Sequence, residues 1–316
     1  MPLLQTKDLK KYFKTPKGDL HAVDGINLTI EKGQTLGVVG ESGCGKSTLG
    51  RTILRLLGAT GGEVLWNGKD ILKLSAKEMK VMRTHMQIIF QDPYASINPR
   101  LTVSQIISEP LVVNNVYTDK AARNIRIREL MDTVGLSRKL VNTYPHEMDG
   151  GRRQRIGIAR ALALGPEFIV CDEPVSALDV SIQAQILNLM MDLQDDIGLT
   201  YMFITHDLSV VKHISNQIIV MYLGQCVETA PPAELFGSPK HPYTQALLSA
   251  IPIPDLDYRG AKRELIKGEI TSPINPKPGC RFAPRCNFAK PECYECDFHL
   301  KNVAENHQVA CVLYNQ

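Results

Sequence analysis

The sequence predicts an α/β fold around a parallel β-sheet, and two observations indicate it. Short apolar runs alternate with helical patterns along much of the 316-residue chain, as expected when helices join the strands of such a sheet. The apolar runs end in polar residues, and parallel sheets bind their ligands at the carboxyl ends of the strands. From about Pro252 the sequence becomes rich in proline and contains several cysteines, with little apolar periodicity. This change predicts a C-terminal extension distinct from the α/β core.

Four apolar runs are the predicted strands, at residues 35–40, 168–172, 200–206 and 217–222. In the middle of the chain three helical patterns follow one another without a strand-like run between them, at 103–112, 120–134 and 155–163. We therefore expect a helical insertion within the α/β core.

Composition excludes several classes of protein. The chain is 44% hydrophobic and 22% charged, which is ordinary for a globular protein with a sizeable core. It contains no apolar run of about 18 residues that could span a bilayer, and its N-terminus lacks the apolar core of a signal peptide, so a mature cytoplasmic protein is expected. The 36 basic and 33 acidic residues are too balanced to indicate a nucleic-acid surface. A membrane channel, a disordered tail protein and a small secreted scaffold are all excluded.

A phosphate-binding loop follows the first predicted strand. Residues 40–47 read GESGCGKS and fit the pattern G-x-x-x-x-G-K-[ST], with a strand before and a helix after. In this pattern backbone N–H groups and the helix N-terminus hold phosphate oxygens, Lys46 supplies a charge for the β and γ phosphates, and the Ser47 hydroxyl reaches Mg²⁺. The predicted nucleotide-binding residues are Gly40, Glu41, Ser42, Gly43, Cys44, Gly45, Lys46, Ser47 and Thr48.

Acidic and imidazole groups end two other predicted strands. Asp172 and Glu173 follow the strand at 168–172, where Asp172 can hold the Mg²⁺ shell and Glu173 can orient or deprotonate an attacking water. His206 ends the strand at 200–206 and is a candidate sensor of the γ-phosphate. The alternatives are a pair of solvated loop acids and a structural histidine.

In this order the motifs resemble those of the ATP-binding subunits of ABC transporters, over residues 5–250. Gln91, in the run IFQDP, resembles the Q-loop glutamine of that family, and Gly150-Gly151-Arg152 lies in a segment that resembles its signature loop. The run SALD, which ends at Asp179, resembles the D-loop, and His206 resembles the switch histidine.

The resemblance implies a P-loop NTPase core with an antiparallel β subdomain and a helical insertion at about 98–160. It also implies that two such chains hold two ATP molecules between them, with Gln91 on Mg²⁺ or the attacking water and the neighbouring chain against membrane subunits. Phe13 aligns best with the aromatic residue that stacks on adenine, and Tyr12 is the alternative. The residues that would contact the ATP of the partner subunit are Asp149, Gly150, Gly151, Arg152 and Asp179.

Two runs near the end of the chain narrow the resemblance to one subfamily of these ATP-binding subunits. The runs HPYTQALL at 241–248 and GCRFAPRC at 279–286 are similar to the extension of oligopeptide and dipeptide importer ATPases. This implies an ATP-binding domain at 1–250, an extension at 251–316, and ATP-powered import of di- or oligopeptides at the cytoplasmic face of the membrane. The implied partners are a second ATPase subunit, two transmembrane permease subunits and, indirectly, an extracytoplasmic solute-binding protein. Import of nickel or another small solute is the alternative.

The signature-like loop departs from the family pattern, most consequentially at its second position. The signature is normally Leu-Ser-Gly-Gly-Gln, whereas residues 148–152 here read MDGGR, so that Asp149 replaces the serine. Aspartate caps a helix as well as serine does, but its carboxylate has no proton to donate to a phosphate at neutral pH. Either Asp149 turns outward onto an arginine while backbone N–H groups still hold the phosphate, or the chain works in a heterodimer with a partner that carries a standard signature. We favour the heterodimer.

Five of the eight cysteines, at 280, 286, 293, 296 and 311, lie in the extension. Their spacing matches neither common ferredoxins nor a zinc ribbon, and stable disulfides are unexpected in a cytoplasmic chain. The resemblance implies a [4Fe-4S] cluster on Cys280, Cys286, Cys293 and Cys311, with Cys296 as a possible substitute for Cys293. Zinc and reduced free thiols are the alternatives.

Two rival functions come from other classes. A soluble ABC ATPase acting on nucleic acid or ribosomes is expected to show tandem cassettes, a coiled-coil insertion or a strongly basic face, and the sequence has none of these. A P-loop kinase for a small molecule is disfavoured by the Asp172-Glu173 pair and by the signature-like loop.

Overall fold

The computed structural model describes residues 2–250, 272–297 and 299–314. Its strands are β1 (Leu4–Thr15), β2 (Gly18–Ile30), β3 (Thr35–Val39), β4 (Gly61–Trp66), β5 (Lys69–Asp70), β6 (Met86–Ile89), β7 (Phe168–Asp172), β8 (Thr200–Ile204), β9 (Gln217–Tyr222), β10 (Gln225–Ala230), β11 (Lys301–Ala304) and β12 (His307–Val309). Its α-helices are α1 (Lys46–Ile53), α2 (Ala76–His85), α3 (Pro93–Ser96), α4 (Val103–Val113), α5 (Lys120–Thr133), α6 (Gly150–Leu162), α7 (Val180–Ile197), α8 (Leu208–Ile214), α9 (Pro232–Gly237) and α10 (Pro242–Ser249).

The chain forms two compact units. One unit takes its residues from Met1–Ile30, Thr35–Leu72 and Thr205–Gln316, and the other from Glu31–Gln34 and Lys73–Ile204.

The first unit contains an antiparallel sheet in the order β2-β1-β4-β5. It also contains β3, which runs parallel to β9 and pairs Val38 with Ile219. Strands β10, β12 and β11 continue from β9 in antiparallel pairs. All five residues of β3 are buried, because a central strand is covered on both faces. The phosphate loop therefore begins directly after a fully buried strand.

The second unit contains the parallel strands β6, β7 and β8. Met86 pairs with Phe168, and Asp172 pairs with Ile204. Helices α3 to α6 occupy residues 93–162 without an intervening strand.

Most of the predicted elements differ from the observed ones only at their ends. The first and third predicted strands end earlier, at Val39 and Ile204, because the chain then turns into loops that carry Gly40 and His206. The third predicted helix was expected to begin at residue 155, but α6 begins at Gly150. Asp149 accepts a hydrogen bond from the N–H of Arg152 and so supports a first turn that begins with two glycines.

The described part of the C-terminal extension belongs to the first unit and pairs with its strands. Strand β12 pairs with β10, with Glu228 opposite Val309, and an isolated bridge joins Leu20 to Ile274. The start of the predicted extension, at 251–271, lies outside the described residues. No helix within the described ranges is long and apolar enough to cross a membrane.

Candidate nucleotide-binding and catalytic site

The phosphate loop connects β3 to α1 in the first unit. The Lys46 side chain is buried at 5% exposure, and its ammonium group donates to the carbonyl oxygens of Gly40 at 2.8 Å and Glu41 at 3.0 Å. Ser42 and Gly43 at the tip of the loop are exposed. The loop thus places a buried cation beside an accessible turn at a helix N-terminus, an arrangement suited to phosphate.

Two glycines of this loop have no room for a side chain. Gly45 has φ of 107°, and a Cβ there would lie 2.0 Å from the carbonyl oxygen of Ala22. Gly40 has φ of 150°, and its Cβ would lie 2.2 Å from the carbonyl oxygen of Met221. The pattern requires glycine here because neighbouring backbone approaches the loop closely.

The two aromatic candidates for adenine stacking are separated by the pleat of β1. Tyr12 donates a hydrogen bond to Asp24 and stacks on His21 with 3.8 Å between ring centroids. Burial and the hydrogen bond to Asp24 raise the pKa of Tyr12. Phe13 lies on the opposite face of the strand, where the Lys11 ammonium lies 4.8 Å from its ring centroid. Phe13 therefore remains the better candidate, because the Tyr12 ring is already stacked.

In the second unit the structure brings Glu173 and Gln91 together. Asp172 ends β7 with 1% exposure, and Glu173 follows it with φ of 49°. The Glu173 N–H donates to the carbonyl of Ile204 at 2.9 Å, and the Gln91 amide donates to a Glu173 carboxylate oxygen, also at 2.9 Å. The Glu173 carboxylate and the Gln91 amide are thus hydrogen-bonded at the carboxyl end of β7. The buried Asp172 is the last residue of that strand.

His206 lies in the first unit, in a bend two residues after β8. Its side chain is exposed. The Thr205 N–H donates to the carbonyl of Val38 at 3.1 Å, and Asp207 caps α8 by accepting from the Ser209 N–H at 2.8 Å. The residues on both sides of His206 are therefore anchored, which limits where the imidazole can lie.

The signature-like loop begins α6. One Asp149 oxygen accepts from the Arg152 N–H at 2.8 Å, and the other lies 3.4 Å from the Arg152 Nε. Both side chains are more than half exposed. The structure thus shows Asp149 as a helix cap that is also paired with an arginine, while Gly150 and Gly151 form the first turn.

Asp179 of the D-loop-like run caps α7. It accepts from the Ser181 hydroxyl at 2.7 Å and from the Ile182 N–H at 3.0 Å. These hydrogen bonds, first that of Ser181, lower the pKa of Asp179, so that it presents a carboxylate at neutral pH.

Four extension cysteines converge on one pocket. Its lining includes Cys280, Cys286, Cys293 and Cys311, together with His241. Cys296 is exposed and does not line this pocket. The His241 Nε2 is buried and has no hydrogen-bond partner among the described residues. No group of three or more His, Cys, Asp or Glu residues in these ranges could hold a metal ion as placed.

Sequence reasoning missed the contacts that α10 and the extension make with the phosphate loop. The Arg285 guanidinium forms an ion pair with Glu41, and the Tyr243 hydroxyl accepts from the Glu41 N–H. Tyr243 lies in the run HPYTQALL and Arg285 in the run GCRFAPRC. In the sequence these two runs indicate only a subfamily. Nothing in those runs indicates that they reach a loop some 200 residues earlier.

Family models and curated proteins match most of this chain. A model of the ABC transporter family matches residues 23–176, and a model of the oligopeptide/dipeptide transporter C-terminal region matches residues 227–293. The chain is 52% identical to the oligopeptide transport ATP-binding protein AppF of Bacillus subtilis, over 99% of this chain and 98% of that protein. It is also 52% identical to the oligopeptide transport ATP-binding protein OppF of Salmonella typhimurium, over 97% and 92% of the two chains.

Solved structures share the fold. The ATP-binding cassette MJ0796, in a dimeric post-hydrolysis state with ADP and Pi, is 29% identical and superimposes with a TM-score of 0.66, covering 72% of this chain and 98% of that chain. The cbiO1 protein of Clostridium perfringens, part of an ABC transporter complex, is 27% identical with a TM-score of 0.67, covering 75% and 91%. The chain belongs to the ABC transporter ATP-binding proteins, in the branch of the oligopeptide transport ATPases.

Proposed function

We propose that this protein is the ATP-hydrolysing subunit of an ABC importer of di- or oligopeptides, bound peripherally at the cytoplasmic face of the membrane. The observation that carries the proposal is the match of 52% identity over nearly the whole chain to oligopeptide transport ATP-binding proteins. Its partners are two transmembrane permease subunits, and a solute-binding protein delivers the peptide. ATP binding closes the dimer of ATPase subunits, and hydrolysis reopens it.

The residues divide into two sets of roles. In the first unit, Lys46 and the loop N–H groups bind the phosphates of ATP, the Ser47 hydroxyl is a ligand of the type that Mg²⁺ prefers, and His206 contacts the γ-phosphate. Mg²⁺ supplies charge neutralisation on the phosphate oxygens when it is bound. In the second unit, Asp172 supports the Mg²⁺ shell and Glu173 orients the attacking water. The hydrogen bond from Gln91 holds the Glu173 carboxylate in place.

Reconstitution tests this function. The chain is co-expressed with its permease subunits, and ATP hydrolysis is measured in vesicles with a peptide-loaded solute-binding protein. We expect co-purification with the permeases and stimulation by peptides. Stimulation by nickel or another small solute in place of peptides would identify the alternative cargo. No association with any membrane subunit, or stimulation by nucleic acid, would contradict the importer assignment.

We further propose that the chain works in a heterodimer. In this proposal the partner carries a standard signature, because Asp149 here has no proton to donate to the phosphate of ATP. The pairing of Asp149 with Arg152 supports the weaker alternative too, since it turns the carboxylate onto an arginine. The test replaces Glu173 by glutamine in this chain and, separately, the equivalent glutamate of the partner. Unequal losses of transport are expected, whereas equal losses would contradict the asymmetry.

An iron–sulfur cluster on the four pocket cysteines remains a proposal, with zinc and reduced thiols as alternatives. The convergence of Cys280, Cys286, Cys293 and Cys311 on one pocket supports it, and the buried Nε2 of His241 lacks a partner at the same place. The described thiols are not spaced to hold a metal ion as they stand, so no step of the ATP cycle is assigned to it. Iron, sulfide and zinc analysis after anaerobic purification decides among the three, and a metal-free protein active in transport would leave free thiols.

A further inference from the structure

The C-terminal extension contacts the second residue of the phosphate loop through a paired charge. The Arg285 guanidinium binds both carboxylate oxygens of Glu41, at 2.8 and 3.1 Å. It also donates to the Tyr222 hydroxyl at 3.2 Å. The side chains of Arg285 and Glu41 are only 8% and 21% exposed, so that solvent screens this pair much less than a surface ion pair. Two-point binding of a carboxylate by arginine also fixes its orientation.

Helix α10, which lies just before the extension, holds the backbone of the same residue. The Glu41 N–H donates to the Tyr243 hydroxyl at 2.9 Å. Tyr243 is fully buried, and its ring packs on Tyr222 and Phe282 with centroid distances of 4.7 and 5.4 Å. The contact is therefore built on a packed aromatic cluster and not on a mobile side chain.

Glu41 in turn contacts the residue that binds phosphate. Its carbonyl oxygen accepts from the Lys46 ammonium at 3.0 Å and from the Cys44 N–H at 3.3 Å. A displacement of Glu41 therefore moves two of the contacts that shape the loop.

The charge of Glu41 has a second consequence. A carboxylate in a loop that binds a triphosphate repels the ligand, and the repulsion is strong where both groups are partly removed from water. Arg285 neutralises this carboxylate within the loop. Without Arg285, the loop would present an unpaired negative charge to ATP.

We propose that Arg285 is a positioning residue of the ATP site, which neutralises Glu41 and makes the C-terminal extension a structural part of the phosphate loop, alongside the contact from Tyr243 of α10. The inference rests on the ATP-binding part of the proposed function and not on the transported solute. It assigns the extension a task in every ATP cycle, whatever occupies the cysteine pocket.

The test measures the affinity of the full chain for adenosine, ADP and ATP by fluorescence with a labelled ATP analogue as competitor. We expect Arg285→Gln to weaken ATP binding by about tenfold, as when a partly buried charge loses its partner. ADP should be affected less and adenosine hardly at all, because the unpaired Glu41 repels phosphate. The double variant Glu41→Gln with Arg285→Gln should regain most of the affinity, because it removes the repelling carboxylate.

Matched variants separate this from a loss of structure. Arg285→Lys keeps the charge without the two-point contact and should bind ATP with intermediate affinity. Lys301→Gln removes an exposed charge of the extension in β11 and should bind ATP like the wild type. Wild-type affinity in Arg285→Gln overturns the inference, as does a double variant no better than the single one. If Arg285→Gln does not fold, the lysine and double variants carry the same comparison. Failure of the wild type itself to bind ATP would instead contradict the proposed function.

Discussion

Glu173 has a backbone conformation that residues with side chains rarely adopt, with φ of 49°. Such conformations cost about 1–3 kcal/mol and persist where the surroundings enforce them. Here the Glu173 N–H is bound to Ile204 of β8 and the carboxylate to Gln91. Gln91 and Glu173 are 82 residues apart in sequence, so two loops of the second unit are joined at the group proposed to orient water.

Replacing Glu173 by glutamine tests its role. Glu173→Gln should lower ATP hydrolysis by about 10²- to 10⁴-fold, the usual contribution of a general base, while ATP affinity stays near that of the wild type. Hydrolysis is measured by phosphate release and affinity by fluorescence titration. The exposed Glu129 of α5 provides the control, since Glu129→Gln should change neither quantity. Loss of ATP binding in Glu173→Gln would show that Glu173 acts on the loop and not on water.

Gly45 is a second residue whose backbone conformation excludes most side chains. Gly45→Ala places a Cβ 2.0 Å from the Ala22 carbonyl oxygen, and we expect a loss of measurable ATP binding with destabilisation of about 1–3 kcal/mol. Gly43→Ala is the matched comparison, because Gly43 also has a positive φ but its Cβ would meet nothing within 4 Å. Unfolding in urea and nucleotide titration should both show the smaller effect for Gly43→Ala. Equal effects would contradict the steric explanation.

At the scale of elements, side-chain caps decide where the functional loops end. Asp149, Asp179 and Asp207 each accept a backbone N–H at the start of α6, α7 and α8. Each cap satisfies a donor that the helix leaves unpaired, and each stands beside a predicted site residue or is one. The replacement of serine by aspartate at 149 is therefore compatible with the helix.

Helix α10 begins at a histidine cap, and we expect the stability of the protein to depend on pH through this residue. The His241 Nδ1 accepts from the Tyr243 N–H at 3.1 Å, and burial lowers the pKa of His241 to about 3. Between about pH 6.5 and 3 the unfolded chain takes up a proton at this residue that the folded chain does not. Stability should therefore fall as the pH drops below about 6.5, by up to about 1.4 kcal/mol per pH unit from this group.

The variant His241→Asn keeps a side-chain acceptor at the cap and removes the titration. Its free energy of unfolding, measured in urea from pH 7.5 to 5, should decrease less steeply with falling pH than that of the wild type. His213→Asn, at an exposed histidine of α8, should keep the wild-type slope. An unchanged slope in His241→Asn would contradict the assignment of the pH dependence to His241.

At the scale of the whole molecule, a buried glutamate joins the extension to the rest of the first unit. Glu228 of β10 is fully buried. One of its oxygens accepts from the Lys240 N–H and the His307 Nε2, each at 2.7 Å, and the other accepts from the His241 N–H at 2.9 Å. One side chain thus holds β12 and the start of α10 in place.

Glu228→Ala should destabilise the protein by about 3–5 kcal/mol, since it leaves two buried donors and one half-buried donor without an acceptor. Glu228→Gln keeps an acceptor oxygen and should cost less. Urea unfolding measures both, and limited proteolysis of the extension shows whether β12 is released. A loss of less than about 1 kcal/mol in Glu228→Ala would mean that other contacts hold the extension.

The strongly patterned parts of this protein could be predicted from sequence. Strand β7, the helices of the insertion and the phosphate loop are each specified by neighbours in the chain, through apolar periodicity or through glycines at fixed spacing. The sequence does not reveal strands β1, β2 and β4. Buried and exposed residues alternate irregularly along β1 and β2, and the pairing of β1 with both neighbours contains bulges where the register shifts. The resemblance implied their antiparallel subdomain without locating it.

Local sequence patterns were therefore sufficient to identify the ABC ATPase family, and they predict which residues contact phosphate. Folding was needed to bring Arg285 to Glu41 across 244 residues, four cysteines to one pocket, and Gln91 to Glu173. The reason is physical: a periodic pattern or a glycine loop acts on its own backbone, whereas a charge pair or a shared pocket depends on the distance between segments that no local pattern encodes. The extension thus marks a subfamily in the sequence, whereas the folded chain shows that it contacts the phosphate loop through Arg285.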